Sequence, residues 1–598
     1  MIFGYQTRSG LTFTLTLLLC GGFFMHPAVA EKSLRIPLRS DDPKSMDPVR
    51  GSTVYDNRPA SMVYETLVQY KYLVRPAELE PLMIQSMPKV TDNGKTYHFK
   101  LKPGILFHDD PCFPGGKGRE VNSSDVIYSW KRMADKSNLP KSWWLFEDTI
   151  EGFDEYRVEQ NKAVDAGGKF DYEKPVPGLK ILNDREFVVR LKKPVYRFMW
   201  VLAMFQTSIV PREGVDHYGA KFGRHPLGTG PFVMKEEDWR SGQSMTFYKN
   251  PNYREELFPT EHMPEDKKWG FDKAAGARLP MVDKVEMPFY VQDQPMWLQF
   301  MAGNLDYTQV PAENWPKAFF KRSQRLRREF KSKGITAQAI PLLDFIFYGF
   351  NMSDPLVGGT SDKNKYLRQA INLGIDWEER NDAFYNGLNI IYDGMVPPGL
   401  DGYPKDGKAT VNYRGPNLEK ARALLAKAGY PGGKGLPRID YYTSTGRNNQ
   451  EQTEMFVQHM AKIGIDINPH LVDFSTLIEY VTNRKAPIFA FAWGSDYPDA
   501  ENNLALFYSP NQSPGSNHFN YVNSDYDTMY EKMTTMSPSP ERTALIEKMR
   551  DRVVEDSPYI GSMARSRYYL IHPWLKNFKP TEIFYNWVKY MDIAESKR

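Results

Sequence analysis

Between residues 418 and 493 the spacing of apolar residues switches repeatedly between two periods, and few architectures accommodate that pattern. Leu418, Ala421, Leu424, Leu425 and Ala428 recur at helical spacing, and Gly429 ends the run. A strand is expected at 439–443, a helix over 450–463, a strand at 465–472 and a short helix at 475–482. Ile488-Phe489-Ala490-Phe491-Ala492-Trp493 is apolar on both faces, as suits a strand buried between helix layers. Helices alternating with strands predict an α/β fold class for this half. In such folds ligands sit beyond the carboxyl ends of the strands. The segment found there, Gly494-Ser495-Asp496-Tyr497-Pro498-Asp499, is acidic and aromatic together.

The first half has a different rhythm. Thr96-Tyr97-His98-Phe99-Lys100-Leu101 alternates with period two and meets a Pro103-Gly104 turn. Further strands are expected at 187–191 and 285–291. A helix is expected over 121–133, with Asn122 or Ser123 as cap and Val126, Ile127 and Trp130 as its apolar stripe. The polar, Gly- and Pro-rich stretch at 250–284 reads as a long surface excursion. With 598 residues the chain exceeds the ~250–300 at which single cores stop growing, so two or three lobes are expected.

Arg8 is the only Lys, Arg, Asp or Glu among the first thirty residues. An apolar run follows at 11–24, and Ala28-Val29-Ala30 puts small residues where signal peptidase reads. The segment 1–30 therefore reads as a secretory signal cleaved after Ala30; as an anchor the run is too short. Cys20 leaves a lipoprotein open, although Leu19 stands where that processing wants a small residue. Cleavage after Ala30 leaves Cys112 as the only cysteine, so no internal disulfide is expected. The formal net charge of +4 and the lack of a like-charge block argue against nucleic acid as the main partner. An aromatic content of 14% fits large cores first and an aromatic-lined cleft second.

Neither a phosphate-binding G-x-x-x-x-G-K-[ST] loop nor a G-x-G-x-x-G turn is present, and Pro-Gly-Gly-Lys-Gly at 114–118 and 431–435 reads as flexible turns. A G-x-S-x-G elbow is absent too. Ser86-Met87-Pro88-Lys89 has S-x-x-K spacing, but Pro88 would break the helix such a pair needs. His108, Asp109, Asp110 and Cys112 are metal-ligand types at no zinc spacing, and read as a turn whose polar groups satisfy backbone amides. No catalytic residue, no metal and no cofactor is expected. Any ATP-driven step must belong to other subunits.

Several segments, in order, resemble the family 5 extracellular solute-binding proteins. They are Val63-Tyr64-Glu65-Thr66-Leu67, the stretch 96–132 with Ser124-Asp125-Val126 and Ser129-Trp130-Lys131-Arg132, Gly228-Thr229-Gly230-Pro231-Phe232, and Ala302-Gly303-Asn304-Leu305-Asp306. Phe350-Asn351, then Leu367-Arg368-Gln369-Ala370-Ile371-Asn372, and Trp493 with Asp496-Tyr497-Pro498-Asp499 complete the series. The resemblance implies a two-lobed periplasmic-binding-protein fold with two hinge strands and a small extra domain in the first lobe. On this scheme 31–290 is the first lobe with the extra subdomain at about 75–175, 291–558 the second α/β ligand lobe, and 559–598 a return to the first. It also implies a monomeric substrate-binding subunit of an ABC importer. Such a subunit captures a peptide or peptide-like solute in the periplasm by cleft closure and delivers it to a permease with its ATPase subunits. Members of the family also take oligosaccharides, nickel complexes or haem, so the fold leaves the ligand open. A secreted hydrolase is the remaining alternative, resting only on the Ser86 and His108 patterns.

Site residues carry over one by one. Asp496 resembles the acid that grips a ligand's α-ammonium, and a carboxylate at a strand end is rigidly placed for that task. Trp493 and Tyr497 are expected to line side-chain pockets, and Phe474 falls near a pocket aromatic. Ser52, Thr53, Val54 and Tyr55 fall where the first lobe offers backbone groups to an extended peptide. Asn517 is the remaining candidate. Where some members carry an Arg for ligand carboxylates, this chain has Ala490, Phe491 and Ala492.

Overall fold

Two large hydrophobic cores divide the chain in the computed structural model, which describes residues 31–594 apart from 41, 52, 322, 582, 584 and 585. The proposed signal, with Cys20, lies outside the described residues. In the first core the strand Lys284–Pro288 turns Val285 and Met287 inward. Ser33–Arg35 pairs parallel to it on one side and Ser244–Lys249 antiparallel on the other. A second sheet in the same core follows the order Lys89–Thr91, Thr96–Lys100, Glu186–Arg190, Leu179–Asn183. Phe99 lies opposite Phe187 there, with their rings stacked at 5.0 Å. The expected extra subdomain thus runs on to Arg190 and shares the first-lobe core.

The helix Ser123–Ala134 begins with a reciprocal cap. Asn122 Oδ1 accepts from the N–H groups of Ser124 and Asp125, and the Asp125 carboxylate accepts from Asn122 N–H at 2.9 Å. Three of the family-like segments converge nearby. The Glu65 carboxylate, buried, accepts both Arg254 Nη groups at 2.6 and 2.9 Å and the Thr229 hydroxyl at 2.9 Å. A Cβ on Gly228 would come within 2.3 Å of the Val63 carbonyl oxygen, so that position has room only for glycine. His108 Nε2 donates to Gly230 C=O at 3.0 Å, and burial pulls its pKa down to about 4, leaving it neutral at pH 7. Asp109 and Asp110 accept from the backbone N–H groups of Gly118 and Cys112, as the turn reading of that segment expects.

The second core surrounds a six-stranded sheet. Its order is Ile390–Ile391, Tyr559–Ala564, Asp344–Phe350, Ile488–Gly494, Ile439–Ser444, Ile467–Val472. Helices Asp362–Gly374, Arg447–Ala461, Phe474–Thr482 and Pro540–Asp556 add buried residues to this core. Every residue of Asp344–Phe350 is buried, as a central strand between layers requires.

Two expectations need correction. The stretch 250–284 is irregular but not a surface excursion, because Phe258, Phe271, Leu279 and Val282 are buried in the first core. Some of its polar side chains bind inward, as Arg254 and Asp266 do, while Glu265, Lys267 and Lys268 are exposed. The second lobe also starts later than 291. Tyr307–Gln309 and Thr336–Pro341 both pair with the returning strand Ser566–Ile571. That sheet sends Tyr307, Tyr569 and Ile571 into the first core and Leu570 into a small core with Phe300 and Trp315. The chain crosses between lobes at Leu342-Leu343 and again at Arg565, whose N–H donates to Asp344 Oδ1 at 2.7 Å.

Candidate functional site

The strand Ile488–Gly494 pairs along its whole length with Asp344–Phe350. On its other side Ile439–Ser444 meets it only at Ile488 and Phe489. From Ala490 to Gly494 that edge has no strand partner among the described residues. Ser495 N–H donates to Leu343 C=O at 2.7 Å, which fixes the phase of the antiparallel ladder. Residues 491, 493 and 495 therefore aim their backbone groups at the paired strand, and Ala492 and Gly494 aim theirs at the open edge. Ala492, Gly494 and Asp496 are exposed, while the residues between them are not.

The open edge ends at Asp496, which the short helix Glu501–Leu504 holds in place. Asn502 Oδ1 accepts from Trp493 Nε1 at 2.9 Å and from Asp496 N–H at 3.1 Å, while Asn502 Nδ2 donates to Asp496 Oδ2 at 3.1 Å. Ser495 Oγ donates to Asn503 Oδ1 at 2.7 Å. Asp496 keeps a solvent-accessible face, yet lies deep among protein atoms. Desolvation pushes its carboxyl up to about 6; Asn502 and the Arg197 charge pull against that rise, and Glu501 adds to it. Asp499 is buried and accepts from Arg542 Nη2 at 2.8 Å, so it is committed to structure.

At this loop the lobes touch. Tyr497 is 1% exposed and belongs to the first-lobe core. Its hydroxyl donates to the Glu501 carboxylate, which also accepts the Tyr530 hydroxyl. Arg197, from the first lobe, faces Tyr497, Glu501 and Tyr530. Burial works against its charge, but these three neighbours more than offset it, and its pKa is raised. Tyr196 N–H donates to Thr534 C=O at 3.2 Å, and the Arg542 guanidinium lies 5.4 Å from the Tyr196 ring centroid.

The other expected residues separate. Phe474 is 62% exposed at the start of its helix, with its ring 6.3 Å from Phe491. Val54 and Tyr55 are exposed, and Thr53 caps their helix, donating to Asp56 Oδ2 at 2.8 Å. Ser52 lies outside the described residues. Asn517 is fully buried: its Nδ2 donates to the Tyr508 and Tyr521 carbonyls at 3.1 and 2.9 Å, and its Oδ1 accepts from Tyr521 N–H at 3.2 Å. It has no face to offer a ligand. Its neighbour His518 lies 5.8 Å from Phe491 instead, and its Nδ1 is buried without a hydrogen-bond partner. Sequence reading missed His518, Asn502 and Arg197. The first two sit beside residues it chose; for Arg197 no local pattern gives a signal.

Residues 78–515 match the family described as bacterial extracellular solute-binding proteins, family 5. The chain belongs to this family. As a family 5 solute-binding protein it is a binding protein and not an enzyme. Heme-binding protein A of Haemophilus influenzae is 23% identical to it over 515 residues, spanning 84% of this chain and 82% of the relative. The oligopeptide-binding protein AppA of Bacillus subtilis is 23% identical over 566 residues, spanning 90% and 89%. The periplasmic binding protein DppA of Helicobacter pylori, solved with the peptide STSA, superposes with a TM-score of 0.69 at 21% identity. That match covers 94% of this chain and 98% of DppA, and it shows the two-lobed α/β fold.

Proposed function

We propose that this solute-binding protein captures a short peptide by its free amino terminus and delivers it to an ABC permease driven by ATPase subunits. The open edge of Ile488–Gly494, ending at Asp496, carries this reading. An extended peptide adds to that edge as a strand, pairing its backbone with Ala492 and Gly494. Such bonds are blind to side chains, so affinity does not demand one sequence. The α-ammonium then meets Asp496, whose carboxyl lies at the end of the edge and is costly to leave charged and unpaired. Phe491 on the strand, with Phe474 and His518 beside it, suits an apolar ligand side chain. Tyr497 and Arg197 serve closure. The protein works in the periplasm after removal of residues 1–30.

Mass spectrometry of small molecules released from the purified protein by denaturation tests the class. Short peptides support the reading, whereas an oligosaccharide or a metal complex replaces it. Calorimetry with a tetrapeptide and its N-acetyl form tests the Asp496 contact. Acetylation removes the ammonium and is expected to weaken binding at least about tenfold, as loss of a charge-assisted hydrogen bond does. Equal affinities would remove Asp496 from the site.

A further inference from the structure

The segment from Lys317 to Lys333 carries eight Lys and Arg residues against one carboxylate, Glu329. Its net charge is therefore +7, more than the +4 of the whole chain, and all other residues together come to −3. The cations never form a run, because Phe319, Leu326 and Phe330 interrupt them and are buried in the small core with Trp315. Arg327 N–H donates to Ala318 C=O at 2.8 Å and Phe320 N–H to Arg325 C=O at 3.0 Å, which closes a hairpin over 318–327. The Tyr568 hydroxyl donates to Gln324 Oε1 at 2.9 Å and ties the hairpin's tip to the returning strand Ser566–Ile571.

The charges stay outside this core. Lys317, Lys321, Arg325, Arg328, Lys331 and Lys333 are exposed, and none of these side chains has a hydrogen bond or ion pair among the described residues. Arg322 lies outside the described residues. Arg327 Nε donates to Pro316 C=O at 2.9 Å, and its guanidinium lies 4.6 Å from the centroid of the Phe320 ring. Phe320 itself is 46% exposed. Clustered like charges repel one another, so they suit a partner that brings many anions at once. An exposed ring among them suits a partner with an apolar layer just beneath those anions. A bilayer containing acidic phospholipid has both.

We propose that this basic face docks on a membrane surface of anionic phospholipid, a binding step separate from peptide capture at Asp496. The ammonium and guanidinium groups meet the lipid phosphates, and Phe320 enters at headgroup depth. Each basic residue near such a surface is worth about fivefold in affinity. Because the rest of the chain is net negative, the same field turns this face toward the lipid. Docking then holds the protein in the plane of the bilayer, where the proposed permease lies; only this consequence rests on the importer reading.

Sedimentation of the full mature protein with lipid vesicles tests the surface. Vesicles of equal parts phosphatidylglycerol and phosphatidylcholine are expected to bind it at least about tenfold more tightly than phosphatidylcholine alone. They are expected to release it as salt shortens the screening length from ~10 Å at 0.1 M to ~3 Å at 1 M. Arg328→Gln, Lys331→Gln and Lys333→Gln together are expected to weaken binding about a hundredfold. Lys162→Gln, Lys169→Gln and Lys180→Gln remove the same charge from exposed positions elsewhere and are expected to leave binding nearly unchanged. Phe320→Ser is expected to weaken binding with no change in charge. Melting curves show that each variant is folded. Equal binding to both kinds of vesicle, binding that survives the first triple substitution, or equal loss in both triples overturns the proposal. Undiminished binding by Phe320→Ser overturns the ring's part in it. No binding to the anionic vesicles at low salt overturns the lipid surface and leaves an acidic protein face as the partner this patch fits. Peptide affinity of the first triple, read by calorimetry, is expected to equal wild type, so this inference and the peptide reading fail separately.

Discussion

Asp496 and Asn502 hold each other twice: the Asp496 N–H donates to Asn502 Oδ1, and Asn502 Nδ2 returns a bond to Asp496 Oδ2, both at 3.1 Å. The same Oδ1 accepts from Trp493, so one amide fixes the end of the open strand edge. Asn502→Leu keeps the volume and removes all three bonds. Peptide affinity is expected to fall roughly ten- to hundredfold, the range for losing one or two hydrogen bonds that position a charge. Calorimetry with a tetrapeptide checks it, and unchanged affinity would show that Asp496 needs no support.

Asp496 also sets a pH dependence. Its folded pKa, about 6, stands above the unfolded carboxyl near ~3.9. Between those values the folded chain holds more protons than the unfolded one, so this group makes stability fall as pH rises through the window. Asp496→Asn is expected to flatten that slope in urea melts. Ligand binding runs the other way, because an ammonium wants the carboxylate. Affinity for a free-amine peptide is expected to rise from pH 5 to pH 7, with proton release on binding below about pH 6. Calorimetry in buffers of different ionisation enthalpy measures that proton. A flat profile would place the ammonium elsewhere.

Under the proposed function, Arg197 helps to close the front of the cleft. It is the cation from the first lobe that faces Glu501, a buried carboxylate otherwise held by two tyrosine hydroxyls. Arg197→Met leaves that charge under-compensated while the lobes are together, and opening relieves it by admitting water. Apparent affinity scales with the closed fraction. A larger radius of gyration without ligand and a weaker apparent affinity are expected together. A scattering curve identical to wild type would assign closure to other contacts.

Local periodicity carried most of the second lobe. The helix expected over 450–463 forms as Arg447–Ala461, and the strand expected at 465–472 as Ile467–Val472. The hinge was not legible, because Thr336–Pro341 finds its partner in Ser566–Ile571, far along the chain. A crossing strand has the same alternation as one that stays. Burial of 250–284 was hidden for a related reason: Gly and Pro report irregular backbone, and irregular backbone can still pack inward. At the site, Asp496 was legible from its place after an apolar strand. Its raised pKa and the facing Arg197 depend on the meeting of two lobes, which no window of sequence contains.

The family-like segment Leu367-Arg368-Gln369 contains the last testable case. Arg368 is 1% exposed and pairs with no carboxylate among the described residues; its guanidinium instead donates to five backbone carbonyls. Those of Asp556 and Ser557 end the helix Pro540–Asp556, and those of Val357, Gly358 and Gly359 belong to a turn before Asp362–Gly374. Helix-end carbonyls have no partner within the helix, and a cation there suits the dipole. Burial pulls the guanidinium down to about 10, which still leaves it charged at neutral pH. Arg368→Met strands several buried acceptors and is expected to cost about 3–5 kcal/mol, read as a lower urea midpoint. Arg368→Lys is expected to recover less than half of that loss, since an ammonium has three donors at one point and cannot span a turn and a helix end together. Full recovery by lysine would mean that charge at the helix terminus, and not the fork of donors, is what the second lobe requires.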